Sequence, residues 1–156
     1  MTENLQVHGT AVLLGSTGVL LRGPSGAGKS VLALALLDRW EGRGEDAFLV
    51  ADDRVDIALQ AERLVMRVPP PLAGLIELRG RGIVSRPYRD GVRLDLLIDL
   101  VPDFIRMLEE DELNAQLAGV QVARAPVAQT GLAGLGHQVL LVLEAIRALP
   151  SVSFPL

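Results

Sequence analysis

Val19-Leu20-Leu21-Arg22-Gly23-Pro24-Ser25-Gly26-Ala27-Gly28-Lys29-Ser30-Val31-Leu32 is the stretch on which the fold turns. Val19 to Leu21 is a short apolar run that reads as a buried strand ending at Gly23. Ser30 to Trp40 predicts a helix, apolar on most sides through Val31, Leu34, Ala35 and Leu37, as suits a helix packed deep against a sheet. Gly42 and Gly44 then supply helix-stop chemistry. Gly23 to Ser30 satisfies G-x-x-x-x-G-K-[ST] at every fixed position. Glycines at that spacing let successive backbone N–H groups turn inward onto phosphate oxygens, and the next helix adds its positive N-terminal end. Lys29 brings a point charge to the β and γ phosphates, and Ser30 offers a hydroxyl to Mg²⁺. A nucleotide-phosphate site is therefore expected at Gly23, Pro24, Ser25, Gly26, Ala27, Gly28, Lys29 and Ser30.

Working outward, Gln6 to Gly15 reads as a strand and Ser16-Thr17-Gly18 as a turn. Phe48 to Ala51 is a second buried strand, expected to lie beside the loop strand. Val55-Asp56-Ile57 and Leu64 to Val68 look like paired strands, and Pro69-Pro70-Pro71 like a stiff extended break. Gly74 to Arg86 is rich in glycine and arginine, with Ile76, Leu78, Ile83 and Val84 as apolar anchors, and Arg93 to Val101 reads as one further strand. Pro102 to Leu117 has an acidic, helix-compatible middle that reads as a solvated surface segment. Val120-Gln121-Val122 predicts one more strand before Pro126. A C-terminal helix from Leu132 to Leu149 is expected to bury Leu135, Val139, Leu140, Val142, Leu143 and Ile146. No repeat or low-complexity linker is visible, so residues 1–156 read as one domain.

A phosphate loop of this kind needs carboxylates to hold the metal and to orient or deprotonate a nucleophile. Asp52-Asp53 comes directly after the Phe48 strand, at the strand end where ligands collect in α/β sheets. Adjacent strand residues point to opposite faces, so one of the two suffices at the phosphates and the other is free to cap a turn or hold a supporting hydrogen bond. Asp99 closes a second apolar run, but Leu94 to Leu100 reads as a half-exposed strand with no such role.

Composition bounds the remaining possibilities. The chain has 156 residues, a formal charge of −4 and 49% hydrophobic residues, of which few are aromatic. Its core is built from Leu, Val, Ala and Ile, as in an ordinary α/β protein. Lys29 is the only lysine, and the arginines are interspersed with acids, so nucleic acid is not an expected partner. Without cysteine there are no disulfides and no thiolate metal sites. Met1 to Gln6 lacks a leader pattern and no apolar run reaches membrane-spanning length, so a cytoplasmic protein without membrane contact is expected.

Four segments in fixed order carry a resemblance. Val7-His8-Gly9, the loop Gly23 to Ser30, Val50-Ala51-Asp52-Asp53-Arg54-Val55-Asp56-Ile57, and Leu75-Ile76-Glu77-Leu78-Arg79-Gly80-Arg81-Gly82-Ile83 together resemble the catalytic domain of bacterial HPr kinase/phosphorylase, in its short form without an N-terminal regulatory domain. The last segment is the most specific, because ordinary phosphate-loop proteins have no counterpart. The resemblance implies a β-rich α/β fold shared with phosphoenolpyruvate carboxykinases, with the phosphate loop between a strand and a buried helix. It implies an ATP- and Mg²⁺-dependent protein serine kinase acting on HPr, the phosphocarrier of the sugar phosphotransferase system or its nitrogen-related branch. It also implies a homo-oligomer, hexameric in the family. Carried onto this chain, it places His8, Lys29 and Asp53 as catalytic, Ser30 and Glu77 at magnesium with Asp52 the neighbouring acid, and Arg79 in the stretch that contributes to catalysis.

Two positions depart from the family pattern. Ala125 to Leu132 has no arginine after the Pro-Val pair, and Val31 stands where the family has a glutamate. Both argue against phosphorylase activity. Arg86 and Arg89 are alternative sources of positive charge at the phosphates. A nucleotide-sensing module with little catalysis, or a small-molecule kinase on the same scaffold, would share the loop and differ in the chemistry done there.

Overall fold

A computed structural model describes residues 4–150, so Met1 to Glu3, half of the stretch read for a leader, and the last six residues lie outside it. The loop strand is β2 (Thr17–Arg22), joined to β1 (Asn4–Leu14) by a tight turn at Gly15-Ser16 and paired with it antiparallel. Residues 18–21 of β2 are fully buried, as a strand covered on both faces must be. After the loop, α1 (Lys29–Gly42) buries Leu32, Ala33, Leu36, Leu37 and Trp40 against the sheet, while Leu34 and Ala35 are half-buried on its flanks. The helix stops where glycine was expected to stop it. Gly44, at φ 76°, donates its N–H to the Glu41 carbonyl at 2.9 Å.

β1 is long enough to serve two neighbours on one edge. Its second half pairs with β3 (Ala47–Ala51) and its first half with β4 (Arg54–Gln60), both antiparallel. Asp52-Asp53 is the joint between those two strands, and the Gly9 N–H of β1 ties the joint down through the Asp53 carbonyl at 3.2 Å. β5 (Arg63–Arg67) and β8 (Val92–Arg93) continue the sheet beyond β4. On the other side of β2 lie β9 (Leu96–Val101), parallel to β2, then β11 (Val120–Ala128), parallel to β9, and last β10 (Asn114–Leu117), antiparallel to β11. The order is β10-β11-β9-β2-β1-β4-β5-β8, with β3 alongside β1. Because only Leu94-Asp95 separates β8 from β9, the six strands from β9 to β8 curl round on themselves. One apolar core, including Ala11, Leu20, Val50, Ile57, Met66 and Leu97, is built from sheet and loop residues alone. The other lies between the sheet and the helices α1 and α2 (Leu135–Arg147).

Several expectations give way to this topology. β3 is not beside the loop strand, since β1 lies between them. Arg93 to Val101 is two strands, broken where the sheet turns back at Leu94-Asp95. Only Pro69 of the proline run is extended; Pro70–Leu72 is a single 3₁₀ turn, which suits prolines because the first turn needs no N–H donor. The acidic middle forms one 3₁₀ turn, Glu110–Leu113, because four successive acids repel one another and offer no apolar face to bury. β11 runs straight through Pro126, which is tolerated because β10 pairs only with Val120 to Ala123. In α2 the buried face is Gln138, Val139, Val142 and Leu143, leaving Leu135 and Leu140 exposed. The buried polar residue on that face, Gln138, donates from its amide nitrogen to the Ala128 carbonyl at 3.0 Å.

Asp99 is the largest departure. Instead of being half-exposed, its side chain is 13% exposed and accepts from Arg22 Nε at 2.7 Å and from Arg124 Nε at 2.6 Å. It therefore ties together β2, β9 and β11, the three parallel-paired strands, just below the glycine loop. Burial alone would push its carboxyl up, but hydrogen bonds and charge from both arginines outweigh that and hold it below the usual carboxylate range. Asp99→Asn is expected to destabilise the fold by about 2 kcal/mol, with partly exposed arginines left uncompensated. The melting temperature should drop by roughly 4–8 °C. A group with a depressed folded pKa contributes its stability above its unfolded value, near 3.9, and loses it as pH falls through the folded value. The gap between wild type and variant should therefore be full at pH 7 and close in acid, as thermal melts against pH would reveal. A constant gap would mean that charge is not the cause.

Candidate active site

A cavity of about 770 Å³ opens where the glycine loop, the Asp52-Asp53 joint and the 75–85 hairpin meet. Gly26 and Gly28 hold left-handed backbone at φ 85° and 99°, which side-chain-bearing residues adopt at a cost, and so turn the loop. At Gly28 a Cβ would also stand 2.1 Å from Thr130 Oγ1, so the Thr130 side chain would have to turn away. Ser25, Gly26, Gly28, Lys29 and Ser30 line the cavity. Gly23, Pro24 and Ala27 form the base of the loop instead, with Ala27 buried and Gly23 against Leu100.

The Lys29 amine is drawn back onto its own loop, donating to the Gly23 carbonyl at 2.7 Å and the Pro24 carbonyl at 2.9 Å. Burial lowers its pKa below the usual lysine value, and the charges of Asp52 and Asp53 offset part of that.

Asp52 and Asp53 have separate roles, although both line the cavity. Asp52 is buried and engaged at both oxygens. Its Oδ1 accepts from Thr10 Oγ1 at 2.8 Å and Ser30 Oγ at 3.0 Å, and its Oδ2 accepts from the Glu77 N–H at 3.1 Å. One carboxylate thus connects β1, the helix start and the hairpin. Asp53 is exposed, sits at φ 72°, and places Oδ1 3.4 Å from His8 Nδ1. Strand alternation explains the geometry: His8 and Thr10 are two apart on β1 and share a face, so one meets Asp53 and the other Asp52. Glu77 and Arg79 reach the cavity from the hairpin of β6 (Leu75–Leu78) and β7 (Gly82–Ser85), which is anchored by buried Ile76.

All the residues marked from sequence for catalysis or metal therefore line one cavity: His8, Lys29, Ser30, Asp52, Asp53, Glu77 and Arg79. Arg86 and Arg89 do not. Arg86 Nη1 donates to the Ser85 carbonyl, and the Arg89 guanidinium stacks 4.3 Å over the Phe48 ring. Sequence reasoning missed Thr10, whose signal was its place two residues after His8. It also missed Thr130, in the stretch that lacks the family's arginine, and Gln138 on α2, both of which line the cavity.

No group of three or more His, Cys, Asp or Glu among the described residues forms a protein-only cage for a metal. A hydroxyl and few carboxylates, at Ser30, Asp52 and Glu77, is a donor set that fits magnesium completing its shell with phosphate oxygens and water.

The sequence profile of the HPr Serine kinase C-terminal domain family matches residues 1–131. This chain belongs to that family. As a member of the HPr serine kinase C-terminal domain family, it is similar to an HPr kinase/phosphorylase of Enterococcus faecalis, 36% identical over 147 residues, covering 88% of this chain and 45% of that protein. An HPr kinase/phosphorylase of Clostridium acetobutylicum is 31% identical over 156 residues, covering 95% and 49% respectively. The chain thus spans about half the length of these two relatives, and 31% of one from Lactiplantibacillus plantarum. In structure it resembles the Hpr(Ser) kinase/phosphatase from Coxiella burnetii with a TM-score of 0.72 and 25% identity, covering 92% of this chain and 94% of that one. The α/β fold of the family is therefore the fold of this chain. Among the described residues, no helix is long and apolar enough to cross a membrane.

Proposed function

We propose that this chain is an ATP- and Mg²⁺-dependent protein serine kinase whose acceptor is an HPr-type phosphocarrier, and that residues 1–156 act as one catalytic domain. The observation that carries the reading is the meeting of a glycine-turned loop, one buried ammonium and an exposed Asp–His pair in a single cavity.

In this reading the loop amides and Lys29 bind the polyphosphate of ATP. Ser30, Asp52 and Glu77 would hold Mg²⁺, which when bound neutralises charge on the phosphate oxygens. The acceptor serine oxygen forms a bond to the γ-phosphorus as the bond to the bridging oxygen breaks, releasing ADP. The serine proton passes to the exposed carboxylate of Asp53, with His8 Nδ1 beside it to orient that carboxylate. Asp52, with its oxygens already engaged by three donors, acts in positioning and at the metal rather than as the base. Arg79, at the open edge of the cavity, adds positive charge where negative charge builds.

The test is incubation of the purified chain with candidate HPr proteins, ATP and Mg²⁺, with mass spectrometry of the products. One phosphoserine on HPr is expected. ATP binding with no transfer to any acceptor would instead identify a nucleotide-sensing module, and turnover on a metabolite but not on HPr a small-molecule kinase.

A further inference from the structure

One wall of the cavity, lying against the glycine loop, is the link between β11 and α2, of which residues 130–134 line the space. We propose that the Thr130 hydroxyl is a second-side phosphate ligand, binding the same polyphosphate that the loop amides hold. The inference rests on the phosphate-binding reading of the cavity and adds to it a residue outside the loop.

Three observations carry it. First, the link is fastened to the loop rather than merely near it: the Thr130 N–H donates to the Ala27 carbonyl at 3.1 Å. Second, the hydroxyl overhangs the point where the loop becomes helix, so close to Gly28 that a Cβ there would stand 2.1 Å from its oxygen. Third, Thr130 is exposed to the cavity, and its hydroxyl has no hydrogen-bond partner among the described residues, unlike Thr10 and Ser30, which are committed to Asp52. An uncommitted donor, held by its own backbone beside the loop, is placed to meet an anion seated there.

The rest of the link supports that placement. Turns from Leu132 and Ala133 back to the Gln129 carbonyl keep it short, and buried Gln138 clamps it from below through the Ala128 carbonyl. Gly134 caps α2 without any side-chain hydrogen bond and lines the same cavity. The free N–H groups of the first turn of α2 thus share a wall with Thr130. The cavity also holds three carboxylates, Asp52, Asp53 and Glu77, against Lys29 and Arg79, so a neutral donor adds affinity for an anion without adding charge.

Thr130→Val removes the hydroxyl while keeping the side-chain volume and the backbone bond to Ala27; Thr130→Ser keeps the hydroxyl. Binding of a non-hydrolysable ATP analogue with Mg²⁺ is measured by calorimetry for wild type and both variants, with thermal melts alongside. Thr130→Val is expected to bind about tenfold more weakly, as loss of one hydrogen bond to a charged group predicts, with Thr130→Ser close to wild type. Equal affinity for Thr130→Val and wild type would overturn the inference, and so would equal weakening in both variants, since that would trace the effect to packing. If wild type itself binds no nucleotide, the kinase reading fails first and takes this inference with it, which separates the two failures.

Discussion

Lys29→Met should reduce phosphoryl transfer to HPr by about a thousandfold or more, because it removes the only ammonium at a site whose chemistry is mostly charge stabilisation. No other basic side chain is placed to substitute. Arg22, the nearest in sequence, is turned to the opposite face of the sheet and committed to Asp99. Arg79 reaches the cavity from the hairpin, not from the loop that wraps the phosphates, and so adds charge without replacing the amine. The same substitution should leave the fold at least as stable. Burial lowers the pKa of the amine, so the folded chain holds that proton less tightly than the unfolded chain does, and the charge costs stability at neutral pH. Loss of the two bonds to the loop carbonyls works in the opposite direction, but both carbonyls belong to residues that are exposed or half-buried, so water can replace the amine. Transfer rates and a thermal melt on one preparation check both halves. Activity above a tenth of wild type would remove Lys29 from the mechanism, and a melt well below wild type would mean the amine is structural.

Asp53→Asn is the second large effect, expected to lower the transfer rate by about a hundredfold to ten-thousandfold, the range for losing a positioned general base. The substitution is unusually clean here. Asp53 occupies left-handed backbone at φ 72°, a region that asparagine tolerates as well as aspartate, and its side chain makes no buried hydrogen bond. Nucleotide affinity and melting temperature should therefore stay near wild type while the rate collapses. Single-turnover transfer, compared with calorimetric binding of an ATP analogue, reads the two separately. A variant that binds nucleotide and still transfers at the wild-type rate would rule out Asp53 as the base.

The legible parts of this site share one property: their signals are local. The strand, glycine loop and helix around Gly23 to Ser30 announce themselves through apolar runs and backbone chemistry within a dozen residues. Asp52-Asp53 could be marked because two acids end an apolar strand. The partition of roles between them was not legible. It depends on Thr10 and His8, more than forty residues earlier, which the alternation of β1 turns toward the same face. Asp99 was misread for the same reason. The pattern from Leu94 to Leu100, with Asp95 and Asp99 among leucines, fits a half-exposed strand, and only the arrival of Arg22 and Arg124 from neighbouring strands makes burial of that carboxylate tolerable.

The sequence by itself determined that this chain would build a strand, a glycine-turned loop and a buried helix, with Asp52-Asp53 beside them, and the resemblance of the 75–83 stretch implied that Glu77 and Arg79 belonged there too. Helix periodicity, glycine backbone freedom and turn chemistry are properties of neighbouring residues. The tertiary structure alone decided that β1, not β3, lies beside the loop strand, that Asp52 is engaged while Asp53 is free, and that Thr130 stands over Gly28. Those facts arise from strand pairing between distant segments, where many registers are compatible with the same apolar pattern and the choice is made by the whole buried surface at once.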